Sequence, residues 1–450
     1  MQPLHPSELR AQSAVLIIRA LINDLCFCAR HRVRAQDFTR RRYLGFATVM
    51  TMLLQKTLRS IQLHLNEFFE KLIALGPTSV SAAAWCEARL KLSHTAFIEL
   101  NQRAILEVVY GERADATLVR RWRQHRLLGI DSSLIRLPSR EELGQEFGWV
   151  KSSNQAGSLG RYPQARLSVL TDVLNRIAVD TLLVPWQQGE RDLAVAHIAK
   201  MEPTDVGLLD RGFSAYELWA HFVAQKRLFV CRCPSSSFSE VNRLFQQNQA
   251  GVSVVVSLRP SDHQRRSIRE AGLPEVISVR LVTVRLKSGE LEVLATNLLD
   301  EQKYPTADFA ELYHYRWGIE TFYGILKGRL DLENFSGHSS QAIRQDVFAT
   351  VFLSNLESLL IAPAQGQLEH QSKKAKYRQR VNHAVSFHTI KSHLIELLLS
   401  SEPLERVLPK LQSLFLGNPI VVRPERGAPR KKRSGWRSYN FQRNTRKAVF

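Results

Sequence analysis

Tyr313-His314-Tyr315-Arg316-Trp317-Gly318-Ile319-Glu320-Thr321-Phe322-Tyr323-Gly324-Ile325-Leu326-Lys327 is the stretch from which the rest of the chain is read. Wound as a helix at about 100° per residue, it places Leu312, Tyr315, Ile319, Phe322 and Leu326 on one apolar arc directed at a core. Tyr313, Arg316, Glu320 and Lys327 fall within about 60° of one another on the next arc. A phenol, a guanidinium, a carboxylate and an ammonium then point the same way over about four turns. A carboxylate can hold a metal ion, and the cations and phenol around it can hold phosphates. Taken alone, the four residues also fit a solvated, salt-bridged helix face. The remainder of the chain has to decide between the two.

Charge narrows the choice. The 450 residues carry 62 Lys plus Arg against 42 Asp plus Glu, a net +20, with an ordinary hydrophobic fraction of 44%. Such an excess calls for a polyanionic partner, nucleic acid first and an anionic membrane surface second. The most apolar N-terminal stretch, Ala14 to Cys28, is interrupted by Arg19, Asn23 and Asp24, too short and polar to span a bilayer. Met1 to Arg10 lack the basic start and apolar run of a secretion signal. These features predict a cytoplasmic protein with no membrane partner. The cysteines, Cys26, Cys28, Cys86, Cys231 and Cys233, are odd in number and sparse, which argues against a disulfide framework. Cys231 and Cys233 sit in the apolar run Leu228 to Cys233 and read as small core residues.

Three regions follow from pattern. Residues 1–120 read as helical, with a long amphipathic stretch from Phe46 to Leu75 and a cationic segment at Arg30, Arg32, Arg34, Arg40, Arg41 and Arg42 that suits DNA contact. Residues 121–360 read as mixed α/β. Ala165 to Val173 and Arg176 to Val184 form a hairpin around Leu174-Asn175, and Glu190 to Met201 is helical. Val206 to Asp210 is a strand, Ser214 to Gln225 a helix and Arg227 to Cys233 a strand. Within this region, residues 235–300 alternate like antiparallel strands and read as a β-rich insertion. Helix resumes at Thr306 and runs again from Ser340 to Leu360. Residues 361–450 read as a basic helical region with a helix from Thr389 to Ser400. From residue 421 onward this region holds ten Lys or Arg and one acid, interleaved with Trp436, Tyr439 and Phe441. That composition suits a tail that contacts phosphates.

Metal-assisted phosphoryl transfer needs several acids brought together from separate segments. Asp131 ends the apolar run Leu127 to Ile130, and Asp210 ends Val206 to Leu209. An isolated Asp at such a place is commonly a turn former or helix cap. Two of them, with Glu320 framed by Tyr, Arg and Lys, form a more pointed set.

The segments Asp131-Ser132-Ser133-Leu134-Ile135-Arg136-Leu137-Pro138, Leu209-Asp210-Arg211-Gly212-Phe213 and Tyr-x2-Arg-x3-Glu-x6-Lys over 313–327 resemble the insertion-sequence-4 family of bacterial DDE transposases. The resemblance covers roughly residues 40–360 and includes Ala295-Thr296-Asn297-Leu298. It implies a ribonuclease H-like catalytic domain interrupted by the β-strand insertion, with Asp131, Asp210 and Glu320 as the catalytic, metal-binding triad. It implies Mg²⁺ or Mn²⁺, as two ions, and double-stranded DNA, both transposon ends and target, as substrate. The enzyme would cut the ends of an insertion sequence and join the 3′-hydroxyls to target DNA, as a homodimer in a synaptic complex associated with the bacterial nucleoid. Tyr313, Arg316, Lys327 and Arg211 would contact DNA phosphates. Relatives can stack a flipped base on an aromatic of the insertion. Here no Trp lies between Trp219 and Trp317, and Phe238 and Phe245 stand as substitutes. A catalytically silent DNA-binding derivative and a ribonuclease H-like nuclease without strand transfer are the alternatives.

Overall fold

The first strand, β1 (Leu127–Arg136), opens with four consecutive buried residues, Leu127 to Ile130. A strand apolar on both faces needs a neighbour on each side and cover above and below. The computed structural model, which describes residues 5–57, 60–72, 80–153, 159–373 and 375–423, supplies them. Eight further strands join its sheet: β2 (Trp149–Ser153), β3 (Leu159–Asp172), β4 (Ile177–Pro185), β5 (Val206–Leu209), β6 (Leu228–Cys233), β7 (Ser253–Leu258), β8 (Ile277–Arg285) and β9 (Leu291–Thr296). The order is β4-β3-β1-β5-β6-β9-β8-β7, with β2 against the first half of β3. β1, β5 and β6 are parallel neighbours. The β3–β4, β6–β9, β8–β9 and β7–β8 pairs are antiparallel. Parallel neighbours require crossovers. The helices Glu190–Ile198 and Tyr216–Ala224 provide them on the way into β5 and β6.

The strands of the predicted β-rich insertion continue the central sheet: β9 pairs with β6, and Ile277, Val279, Leu281, Val293 and Ala295 share one core with Leu128, Trp219 and Phe229. Alternation reveals a strand but not its partner, so this continuity was invisible in the sequence. The region also contains two helices, Ser239–Gln247 and Asp262–Glu270, rich in charge and hidden among polar loop-like residues. Cys231 and Cys233 lie buried in the same core.

The chain divides into two compact units; one division falls at Val119/Arg120, beside the predicted boundary at 120, but none falls at 360. One comprises Arg120–Ile135 and Ala165–Tyr323, and the other Met1–Val119, Arg136–Gln164 and Gly324–Phe450. The N-terminal and C-terminal helices thus belong together. Their common element is the 33-residue helix Ser340–Ser372, against which Pro6–Asn23, Phe46–Gln55, Thr95–Leu100 and Leu404–Gly417 pack. This helix is apolar and long enough to cross a membrane, yet 89% of its most apolar window is buried inside the protein. It runs through Pro363, twelve residues past the predicted end at Leu360. Buried polar groups on it are matched: the Arg89 guanidinium, 3% exposed, reaches Asp346 at 3.1 Å and Gln345 at 3.1 Å. Among the described residues the predicted stretch Phe46 to Leu75 holds the helices Phe46–Gln55 and Ile61–Leu72, and Thr389 to Ser400 is the end of His383–Ser392 followed by Leu394–Leu398. The tail beyond residue 423, with Trp436, Tyr439 and Phe441, lies outside the described residues.

Candidate active site

The β1–β5 register pairs Leu127 with Val206, Leu128 with Gly207 and Gly129 with Leu208. The paired residues stop there, two positions short of Asp131 and Asp210, but the Asp210 charge still acts on the Asp131 carboxyl, so the two acids lie near each other. Each carboxylate is oriented by its own backbone. The Ser132 N–H donates to Asp131 Oδ1 at 2.8 Å, and the Gly212 N–H donates to Asp210 Oδ1 at 2.8 Å. Burial, Asp210 and Glu190 raise the Asp131 carboxyl to about 6, against the opposing pull of the Ser132 N–H and Arg316.

Glu320 arrives on the helix Trp317–Gly324. Two glycines allow that helix to press on the sheet. A Cβ on Gly129 would stand 3.1 Å from Ile319 Cβ, and one on Gly318 would stand 2.8 Å from Val173 Cβ. Two phenols fasten the segment. The Tyr313 hydroxyl donates to the carbonyl of Leu209, next to Asp210, at 3.2 Å. The Tyr323 hydroxyl bridges the carbonyls of Asp131 at 2.9 Å and Leu167 at 3.0 Å. Burial pushes both phenols well above their ordinary range. Between them Arg316 donates to Glu320 Oε1 at 2.6 Å. Burial works against the charge on Arg316, and Tyr313, Glu320 and Asp210 outweigh it. Its Nε is a buried donor with no acceptor among the described residues.

Several expectations change. The segment 313–327 is not one helix: it breaks at Tyr315-Arg316 between Phe309–His314 and Trp317–Gly324, and ends in the π-turn Ile325–Arg329. The shared polar arc is therefore lost. Tyr313 is 5% exposed and spent on a carbonyl, so it does not present its hydroxyl to DNA here. Arg316, 8% exposed, is also interior. Lys327 belongs to the π-turn, in the other unit, where burial depresses its ammonium and Glu333 partly restores it. Arg211 is exposed. Phe238 stacks on Trp219 at 5.0 Å, and Phe245 packs on the same core, so neither is offered as a platform for a base. Trp317 is 48% exposed, with the Arg316 guanidinium 5.6 Å from its ring.

The sequence reading missed Tyr323, Ser132, Glu190 and Arg191. Glu190 accepts from Ser132 Oγ at 2.7 Å and pairs with Arg166. Arg191 donates to the Gly212 carbonyl at 3.1 and 3.0 Å. An acid and a base at a helix start look like ordinary end charges in a sequence, and Tyr323 reads as one more aromatic.

Asp131 and Asp210 suit a hard divalent cation, which takes oxygen donors and can be held by as few as one or two carboxylates. Positive charge between them would offset the burial that chiefly raises Asp131 and the smaller repulsion from Asp210. Glu320 is engaged with Arg316, and among the described residues no three His, Cys, Asp or Glu side chains gather closely enough to enclose a metal ion.

An aspartate inside β1, a second just past the end of its parallel neighbour β5, and a glutamate on the helix Trp317–Gly324 make up the candidate site. The family described as "Transposase DDE domain" matches residues 122–356, over half of the chain, and the chain belongs to it. Among similar proteins is the transposase InsG for insertion sequence element IS4 of Escherichia coli K12, 22% identical over 235 residues, 51% of each chain. Another is the putative transposase y4zB of Sinorhizobium fredii, 26% identical over 209 residues, 46% of this chain and 55% of the relative. The chain thus spans about half the length of these curated relatives. A piggyBac transposase synaptic complex with hairpin DNA aligns at a TM-score of 0.43 and 11% identity, covering 90% of this chain and 85% of that one.

Proposed function

We propose that the chain is a DNA transposase of the insertion-sequence-4 type, built on a ribonuclease H-like core, that cuts element ends and joins the 3′-hydroxyls to target DNA. The observation that carries this reading is that Asp131 and Asp210 act on each other electrostatically, while Arg316, bonded to Glu320, also feels the Asp210 charge. Mg²⁺ or Mn²⁺ bound there, as two ions in the assembled site, would supply activation of the attacking oxygen and stabilisation of the leaving one. Asp131 and Asp210 would hold the ion, and Glu320 would add its carboxylate if Arg316 were drawn to a phosphate. The orphan Nε of Arg316 supports that exchange, since a guanidinium binds phosphate through paired donors. Exposed Arg211 flanks the site for the DNA backbone, Trp317 offers DNA a flat apolar face, and Tyr313 holds the segment in place.

DNA contact extends to the helical unit. There a cavity of about 690 Å³ is lined by Arg40, Arg41, Arg42, Tyr43 and Lys91. Phosphate contacts of this kind position a duplex without reading its sequence. A homodimer that brings two ends together completes the proposal. Incubating the purified chain with DNA bearing the sequences that flank its reading frame tests it. Cleavage and joined products that both require a divalent cation are expected. Cut but unjoined products point to a nuclease, and binding without cutting points to a silent derivative.

A further inference from the structure

The ladder between β1 and β5 ends at Gly129 and Leu208, one pair short of Leu209 and two short of the aspartates. The separation of the two carboxylates is therefore left to contacts outside that ladder. Two consecutive residues at the start of the helix Glu190–Ile198 reach one to each side. Glu190 takes the Ser132 hydroxyl at 2.7 Å, and the Ser132 N–H holds Asp131 Oδ1 at 2.8 Å. Arg191 places Nε and Nη2 on the Gly212 carbonyl, and the Gly212 N–H holds Asp210 Oδ1 at 2.8 Å. Arg166 locks the first arm: Nη1 donates to Ser132 Oγ at 2.9 Å and pairs with Glu190, while Nε and Nη2 are fixed on the Trp186 carbonyl at 3.3 and 3.2 Å. A solvated helix end has no need to grip both aspartate segments with opposite charges.

We propose that Glu190 and Arg191 are positioning residues that set the spacing of Asp131 and Asp210 and so tune the pair for a divalent cation. This rests on the reading of the two aspartates as metal ligands. Partners of metal ligands commonly change affinity by about 10- to 100-fold when removed.

Mn²⁺ binding to the full chain, measured by electron paramagnetic resonance without DNA, tests the proposal. Arg191→Ala removes a positive charge, so simple electrostatics would tighten Mn²⁺ binding. The clamp predicts weakening by about tenfold or more. Glu190→Ala should weaken binding similarly, and Glu190→Gln, which keeps an acceptor for Ser132 without the charge, should recover most of it. Unchanged or tighter binding in Arg191→Ala, or equal loss in Glu190→Gln and Glu190→Ala, overturns the clamp. Thermal melting identifies any variant that fails to fold, and if Arg191→Ala fails, the Glu190 pair decides. Asp131→Ala is the control: undiminished Mn²⁺ binding there refutes the metal site itself, whereas its loss beside a wild-type-like Arg191→Ala refutes only the clamp.

Discussion

Tyr323 shows how much one hydroxyl can do here. It serves the carbonyls of Asp131 and Leu167 from a buried position. Tyr323→Phe leaves both without that donor, at a cost of about 1–3 kcal/mol, and loosens the backbone that presents Asp131. The expected result is lower stability in denaturant titration and reduced end cleavage with DNA affinity retained. Asp131 itself makes a pH prediction. Its carboxyl is raised to about 6, chiefly by burial. The folded state then holds the proton more tightly than the unfolded one. Relative to a neutral side chain, Asp131 costs nothing below about pH 4, an increasing amount between pH 4 and 6, and roughly 2–3 kcal/mol above that. Metal-free Asp131→Asn should therefore be more stable than the wild type at pH 8 and no more stable at pH 4, as read by chemical unfolding. A benefit of equal size at both values would contradict the assignment. Both acids stood out in the sequence because each follows a short apolar run, although β1 continues past Asp131 to Arg136. Tyr313 was legible as a member of the spacing pattern, but its burial was not, since helical phase cannot reveal that the helix breaks two residues later.

At the scale of elements, the fit of the Glu320 helix to the sheet depends on missing side chains. Gly129→Ala brings a methyl within 3.1 Å of Ile319 Cβ and Val173 Cγ1. Overpacking of this kind costs about 1–3 kcal/mol. Because the strain lifts the helix that carries Glu320, activity should fall further than Mn²⁺ binding at the two aspartates. Wild-type stability in Gly129→Ala would show that the helix has room to move. The strands around Asp131 and Asp210 were readable because β-branched and apolar runs are bounded by turn residues. The pairing of β9 with β6 was not, because sheet partners are chosen by tertiary packing. The helices Ser239–Gln247 and Asp262–Glu270 were missed because their apolar positions are few and widely spaced.

The whole molecule carries a net charge of +20, and its two units share it unevenly in sequence. The boundary near 120 was readable, but the joining of N- and C-terminal helices was not, because the long helix Ser340–Ser372 gathers them around it, a contact pattern that local periodicity does not encode. Charge, by contrast, was fully legible. If Arg40, Arg41 and Arg42 meet phosphates, replacing all three with alanine should lower DNA affinity and reduce the slope of log affinity against log salt by about 2–3. An unchanged slope would remove that cavity from the DNA surface. The central claim is that Asp131, Asp210 and Glu320 act as one site. It is tested most directly by end cleavage with Asp131→Ala, Asp210→Ala and Glu320→Ala, each purified and shown to bind DNA. All three should lose cleavage at every Mg²⁺ or Mn²⁺ concentration while binding DNA as the wild type does. Cleavage at the wild-type rate by any one of them would contradict the account.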